Sequence, residues 1–340
     1  MTPTSRGSAR VRIEDVASAA GVSAMTVSRA LNRPDLVSAE KRKIIADAVK
    51  KTGYVPNLVA GNLASNRSQI IAIINPTLRT SIFSDLTQGM WDILGPQGYQ
   101  LLMGSTDYSR RREDKLIKTF IGRQVDGLVL TGVSHSAVSR MALQKNNISV
   151  IETFDLPEDP IDMVVGFSAF DAAAEMGRLV AEWGYRNPAI ITAPTTTDNR
   201  TQRRLDGFLQ GLRKAKLKVK KRSICEADDI SIEAGGDAFG RLHDLREDHD
   251  IVLCTNDILA VGALLAAQRH GYKIPNDVAI TGFGDIEIAK SLNPALTTVR
   301  VRGYDIGRKI GALFLERLST KSPQSPICDM GVEILRRESA

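Results

Sequence analysis

From Gln69 onward, short and largely apolar runs alternate with segments of helical length. The runs are Ile70 to Ile74, Gln100 to Met103, Gly127 to Leu130, Ser149 to Ile151, Met163 to Val165, Ala189 to Ile191, Asp250 to Leu253 and Val278 to Ile280. Between them lie segments such as 84–95, 111–122, 169–183, 200–215 and 257–270. A strand that is apolar on both faces is buried on both faces, and an intervening helix brings the next strand back parallel to it. The pattern therefore predicts α/β units with parallel sheets covered on both sides, and such sheets take ligands beyond the carboxyl ends of their strands.

This alternation leaves the first seventy residues as a different kind of structure. With 340 residues and 43% hydrophobic content, the chain is long enough for a small domain beside a larger one. Residues 1 to 69 carry eleven Lys/Arg against five Asp/Glu, a surplus equal to the +6 of the whole chain, so the rest is neutral. A compact basic head is the footprint of a polyanion-binding module, although a solvated basic surface has the same composition. No run approaches the roughly 20 apolar residues of a membrane span, and Met1 to Arg6 lead into no signal core, so a cytoplasmic protein is expected. Cys225, Cys254 and Cys328 are far apart and lack metal-ligand spacing. Neither a disulfide nor a metal nor another cofactor is expected.

Within the head, Ile13, Val16, Ala17 and Ala20 recur at helical spacing. Gly21 can take the positive φ of a tight corner, with Val22 over the junction. Ser23 is a helix N-cap for Ala24 to Leu31, with Val27, Ala30 and Leu31 inward. Two helices across so short a corner make a helix-turn-helix. A third, capped by Ser38, runs from Ala39 to Lys51 and is expected to bury Ile44, Ile45, Ala48 and Val49. The outward residues of the second helix are small or hydroxylated, and Arg29 offers a guanidinium able to read guanine or clamp a phosphate.

The run from Asp15 to Asn32, with Val37-Ser38, Gly53 to Asn57 and Ala60 to Leu63, resembles the head of lactose/galactose-repressor-type (LacI/GalR) transcription regulators. The resemblance covers nearly the whole chain. It is closest to gluconate-operon repressors, through Val125 to Gly132 with His135-Ser136, Val165 to Phe167 with Phe170, Arg200-Thr201, and Cys254 to Asp257 with Leu259 to Gly262. It implies a helix-turn-helix domain over 1–56, a hinge over 57–68 and an effector-binding and dimerisation domain over 69–340. The implied fold is a small all-α head plus an α/β periplasmic-binding-protein-like domain of two doubly wound parallel-sheet lobes joined by three crossings. One lobe would span about 69–166 plus 297–325, the other about 167–292 plus 331–338.

By position, the resemblance makes Ala24 and Met25 the usual specificity pair, with Arg29 further along the same helix. Ser23, Thr26, Ser28, Asn32, Tyr54 and Asn57 fall where phosphate contacts are usual. The hinge, with Ala60 and Leu63, would fold only on the operator, Leu63 wedging a minor-groove base step. In the body, Arg204 matches an effector-gripping arginine, beside Arg200 and Arg203, some of which could equally be surface charges. Asn256 matches a partner of ligand hydroxyls, while Asp257 either serves the ligand or, as we favour, caps the next helix. Phe83 either stacks on the ligand or belongs to the core, and His135 either reaches the cleft or lies in a surface loop.

Gly284 stands where many sugar-binding relatives carry an aspartate. An absent carboxylate beside arginines favours an anionic ligand, so a sugar acid such as gluconate is the expected effector. The expected protein is thus a homodimeric repressor whose two heads meet two half-sites of operator DNA. A dehydrogenase is the enzyme alternative, but Gly282-x-Gly284 lacks the third glycine and the helix-opening context of a dinucleotide fingerprint. A sugar-binding protein without DNA function would share the body and lack the basic head.

Overall fold

The computed structural model describes residues 11–55, 67–195, 199–319 and 326–340, and the chain divides into two compact units, Met1–Ser68 and Gln69–Ala340. In the first unit, α1 (Ile13–Ala20) starts where Arg12 N donates to Asp15 Oδ2 at 2.7 Å. It stops at Gly21, whose φ of 65° turns the chain so that Val22 N reaches back to Ala17 O at 3.1 Å. Helix α2 (Ala24–Asn32) begins with Ser23 Oγ accepting from Thr26 N. Helix α3 (Ala39–Thr52) begins with Ser38 Oγ accepting from Lys41 N. Val16, Ala17, Val27, Ile45 and Ala48 form the core of this unit. Ile44, expected inside, is 45% exposed. Ile45, Ala48 and Val49 already occupy the i, i+3, i+4 stripe, and a residue one step earlier falls about 100° round the helix.

The second unit holds two six-stranded sheets. The first has strands β1 (Ile70–Asn75), β2 (Gln100–Ser105), β3 (Gly127–Thr131), β4 (Ser149–Thr153), β5 (Met163–Gly166) and β11 (Ile327–Asp329), in the order β2-β1-β3-β4-β5-β11, all parallel. The second has β6 (Pro188–Thr192), β7 (Ile224–Glu226), β8 (Ile251–Cys254), β9 (Ala279–Gly284), β10 (Thr297–Arg300) and β12 (Glu333–Leu335), ordered β7-β6-β8-β9-β10-β12. Its last pair, β10 with β12, is antiparallel. Helices α4 (Ser81–Leu94), α5 (Arg110–Gly122), α6 (Ala137–Lys145) and α11 (Gly303–Ser319) serve the first lobe; α7 (Ala169–Glu182), α8 (Asn199–Lys214), α9 (Ile232–Asp244) and α10 (Asp257–Arg269) serve the second.

One lobe boundary differs from expectation. Residues 297–300 were expected in the first lobe, but β10 pairs with β9 in parallel register, Thr297 opposite Thr281 and Arg300 opposite Gly284. The edge of the second sheet offered β10 a full ladder, so the chain crosses only at Val301-Arg302, and α11 then returns to the first lobe. The other crossings follow β5 and precede β12, and Met330 N donates to Gly166 O at 2.7 Å between them.

Three helix pairs, α4 with α11, α7 with α8 and α9 with α10, pack with their backbones in near contact. A Cβ built at Gly211 would stand 2.0 Å from Ala174 O, one at Gly307 2.1 Å from Leu86 O, and one at Gly262 2.0 Å from Ile232 O. Only glycine admits such approach, which brings the flanking side chains into interior-like packing. A buried aromatic row joins the lobes: Phe83 meets Phe154 edge-on at 5.4 Å, Phe154 meets Phe167 at 6.3 Å, and Phe167 stacks on Phe283 at 6.3 Å. Among the described residues no helix is long and apolar enough to cross a membrane.

Candidate functional site

The first candidate surface is the outward stripe of α2. Val27 is buried, so the residues on the other side of that helix face solvent: Met25, Ser28, Arg29 and Asn32, at i, i+3, i+4 and i+7. Met25 is 64% exposed, and Arg29 and Asn32 are also exposed, with Asn32 Nδ2 3.3 Å from Ser28 Oγ. Ser23 Oγ lies 2.8 Å from Thr26 Oγ1, so the two hydroxyls sit together at the opening of the helix. Ala24 is half-buried against the core of the head, as is Tyr54. Of the paired positions 24 and 25, Met25 is therefore the exposed one. Asn57, Ala60 and Leu63 lie outside the described residues.

The second is a pocket where strand ends of the first lobe meet α8 of the second. Its walls are Pro76 after β1, Thr106 and Tyr108 to Arg110 around the start of α5, Glu113, Thr131 to Ser134 after β3, and Asn199 and Arg200 from α8. Ser109 caps α5 and accepts from Arg112 N, which fixes Arg110 in the first turn, and Arg110 donates to Ser134 Oγ at 2.5 Å. Arg200, 6% exposed, approaches Gly132. Beneath the wall, buried Asn75 accepts from Thr131 Oγ1 at 2.9 Å and leaves its Nδ2 without a hydrogen-bond partner among the described residues. Two guanidinium groups thus share a pocket with hydroxyl side chains.

His135 lies in the loop between β3 and α6, with its side chain turned inward rather than to the surface. Its side chain is 1% exposed, with Nδ1 2.8 Å from Glu113 Oε1, and Nε2 3.1 Å from Gly132 O and 3.5 Å from Glu152 Oε1. It stands behind the pocket and meets two of its lining residues, Glu113 and Gly132. Glu152 is fully buried on β4, and burial pushes its carboxyl up, against a backbone hydrogen bond from Ile161 N.

Helix α8 carries Arg200, Arg203, Arg204, Gly207 and Gly211 along one stripe: the arginines enter the cleft, and the glycines lie against α7. Arg203 Nε is 3.2 Å from buried Asp155 Oδ2, an ion pair between the lobes. Burial raises the Asp155 carboxyl, and Arg203 opposes that rise. Arg204 donates to Thr255 O at 2.9 Å and lies 4.1 Å over the Phe283 ring, at the end of the aromatic row. Phe83, at the other end of that row, is a core residue rather than an open stacking platform.

After β8, the cap expected of Asp257 is supplied by Asn256. Asn256 is the N-cap of α10, its Oδ1 accepting from Leu259 N at 3.0 Å, so Asp257 is not the cap. Asp257 turns inward, where Oδ1 accepts from Thr298 Oγ1 at 2.6 Å and Oδ2 from Ile286 N at 2.9 Å. Gly284, at φ 139°, faces this carboxylate: a Cβ there would stand 3.6 Å from Asp257 Oδ2. The surroundings of Gly284 are therefore not free of carboxylates: buried Asp257, from the start of α10, lies behind it.

Burial pushes Asp257 up to about 6, with the Thr298 and Ile286 hydrogen bonds opposing. Because the folded value lies above the ordinary 3.8, the folded state holds this proton more tightly than the unfolded chain. The resulting stability is complete below pH 3.8 and is lost as pH rises to about 6, by roughly 3 kcal/mol. Asp257→Asn can keep Ile286 N on its oxygen and give its amide to Thr298 Oγ1. Denaturant midpoints measured from pH 4 to pH 7 should then fall less in the variant than in the parent; equal slopes would remove Asp257 as the source.

The pocket residues Arg110, Glu113 and Ser134 were not singled out in the sequence. Arg110 to Lys115 is a dense charge run that reads as a solvated helix face. The signal that could have found it is position alone, since its first turn follows a strand end at the cleft. Among the described residues no group of three or more His, Cys, Asp or Glu is arranged to hold a metal.

Comparison with known proteins agrees with this two-part reading. Residues 12–57 match the profile described as bacterial regulatory proteins, lacI family, and residues 178–340 that of a periplasmic binding protein-like domain. The HTH-type transcriptional regulator GntR of Pseudomonas aeruginosa is 33% identical over 334 residues, covering 98% of this chain and 97% of that protein. The HTH-type transcriptional repressor CytR of Escherichia coli is 31% identical over 333 residues, covering 96% and 95%. A LacI-family transcriptional regulator from Silicibacter pomeroyi superposes with a TM-score of 0.90 at 30% identity, covering 97% of this chain and 99% of that one. With a helix-turn-helix head, a two-lobed α/β body and relatives that match both along their full length, the chain belongs to the LacI family and is a DNA-binding transcriptional regulator.

Proposed function

We propose that this regulator is a homodimeric repressor of a carbohydrate-utilisation operon, released from operator DNA when a sugar acid such as gluconate enters the cleft. The observation that carries the effector class is the pocket in which Arg110 and Arg200 stand among Thr106, Tyr108, Ser109, Thr131 and Ser134. A guanidinium matches a carboxylate in charge and geometry, and hydroxyl side chains both donate to and accept from a polyol. With Asp257 close to Gly284, the preference for an anion rests on these arginines rather than on a missing aspartate.

Two-fold pairing through the bodies presents two heads to two half-sites, with Met25, Ser28, Arg29 and Asn32 toward the groove and the hinge over 57–68 ordering on DNA. The effector acts by binding one arrangement of the lobes more tightly than the other. A shift from 1:99 to 99:1 needs about 10⁴-fold preference, roughly 5.5 kcal/mol. Titrating D-gluconate into the protein bound to labelled promoter DNA, read by fluorescence anisotropy, should release the DNA. Anisotropy that ignores gluconate would remove the effector assignment, and a rise would make gluconate a corepressor.

A further inference from the structure

Behind the pocket, Glu113, His135 and Glu152 form a line from the cleft wall to the centre of β4. Glu113 lines the pocket with its side chain 15% exposed, His135 is 1% exposed and Glu152 is fully buried. Both imidazole nitrogens meet acceptors: Nδ1 meets Glu113 Oε1 at 2.8 Å, and Nε2 meets Gly132 O at 3.1 Å and Glu152 Oε1 at 3.5 Å. Neither contact is favourable without a proton in it, because two lone pairs facing each other at hydrogen-bond distance repel. The line therefore holds two protons. One lies between Nδ1 and Glu113; the other lies on Nε2, which donates to Gly132 O and leaves Glu152 Oε1, 3.5 Å away, without a hydrogen-bond partner among the described residues.

Resting on the sugar-acid reading, we propose that Glu113 is a specificity-determining acceptor for effector hydroxyls, positioned by His135, and that effector binding draws a proton from solvent onto the Glu113–His135–Glu152 line. An anion held by Arg110 and Arg200 adds negative charge beside Glu113, and a line of two carboxylates and one imidazole answers by taking up a proton. The proton leaves the buffer acid and enters this line; no bond in the effector changes. The charges around it have been placed by the fold. Arg110 and Asp114 flank Glu113 on α5, with Asp114 accepting from Ser136 and Ser139. On the inner side, Arg140 and Asp159 act on Glu152 with opposite signs and are paired with each other at 2.7 Å. Arg200 approaches from the second lobe.

The test is calorimetric titration of the full-length protein with D-gluconate at pH 6.5, 7.5 and 8.5, each in two buffers of low and high ionisation enthalpy, such as phosphate and Tris where both buffer. The expected result is an observed binding enthalpy that rises with buffer ionisation enthalpy at one or more of these pH values, with the sign of proton uptake. Glu113→Gln and His135→Gln should each flatten that dependence, with folding checked by thermal melting, and Glu113→Gln should also narrow the discrimination between D-gluconate and its single-centre epimers. Glu152→Gln, nearly isosteric, serves where His135→Gln fails to fold. Gluconate heat that is independent of buffer in the parent protein, or a dependence that survives in the folded variants, overturns the proton coupling alone. Absence of any gluconate heat overturns the effector reading and this inference with it.

Discussion

Arg29→Ala should weaken operator binding by about 100-fold while leaving effector affinity unchanged. Arg29 projects from α2 on the same outward stripe as Met25, and among the described residues its guanidinium has no partner within the head. A bidentate arginine on a guanine is worth about 1–3 kcal/mol of discrimination, so its loss falls on specific rather than non-specific DNA. The measurement is anisotropy on operator and scrambled duplexes at two salt concentrations, beside calorimetry with the effector. A uniform weakening on both duplexes with a shallower salt dependence would make Arg29 a phosphate contact. Loss of effector affinity in parallel would mean that head and body do not act as separable modules.

Gly211→Ala should destabilise the body by about 3 kcal/mol or more. The added Cβ would stand 2.0 Å from Ala174 O and 2.8 Å from Ala174 C, both backbone atoms that no rotamer change can move aside. The matched control is Gly240→Ala in α9, where a Cβ meets nothing within 4 Å and alanine should add about 0.5–1 kcal/mol. Denaturant unfolding of both variants decides the matter. A Gly211→Ala midpoint within error of the parent would show that α7 and α8 can separate at little cost.

The elements of this chain were legible where a local pattern forces the backbone. Ser23 and Gly21 mark the corner between α1 and α2, and the apolar runs from Ile70 to Ile280 fall on strands of the two sheets. What escaped depends on three-dimensional neighbours. Residues 297–300 read as the start of the returning segment, and only the open edge beside β9 assigns them to the second sheet. Asn256 and Asp257 are both good caps by type; the choice is made by Thr298 and Ile286, which meet the carboxylate from elements far along the chain. His135 could not be read as buried, because its two carboxylate neighbours come from α5 and β4. The two arginines of the pocket come from different lobes: Arg200 was read only as a neighbour of Arg204 that could equally be a surface charge, and Arg110 was hidden in a charge run.

The glycine seams also decide where the body can bend. A helix pair whose backbones already touch has no slack to slide or roll, because any shift drives a carbonyl into its neighbour. The first lobe with its one welded pair and the second with its two are then stiff levers, and the joints are the three short crossings after β5, after β10 and before β12. A few kcal/mol delivered at the pocket is consequently not dissipated within either lobe. On the effector-released reading proposed above, it would appear as rotation at those joints, where a small change of angle becomes a large displacement at the far end of the lever.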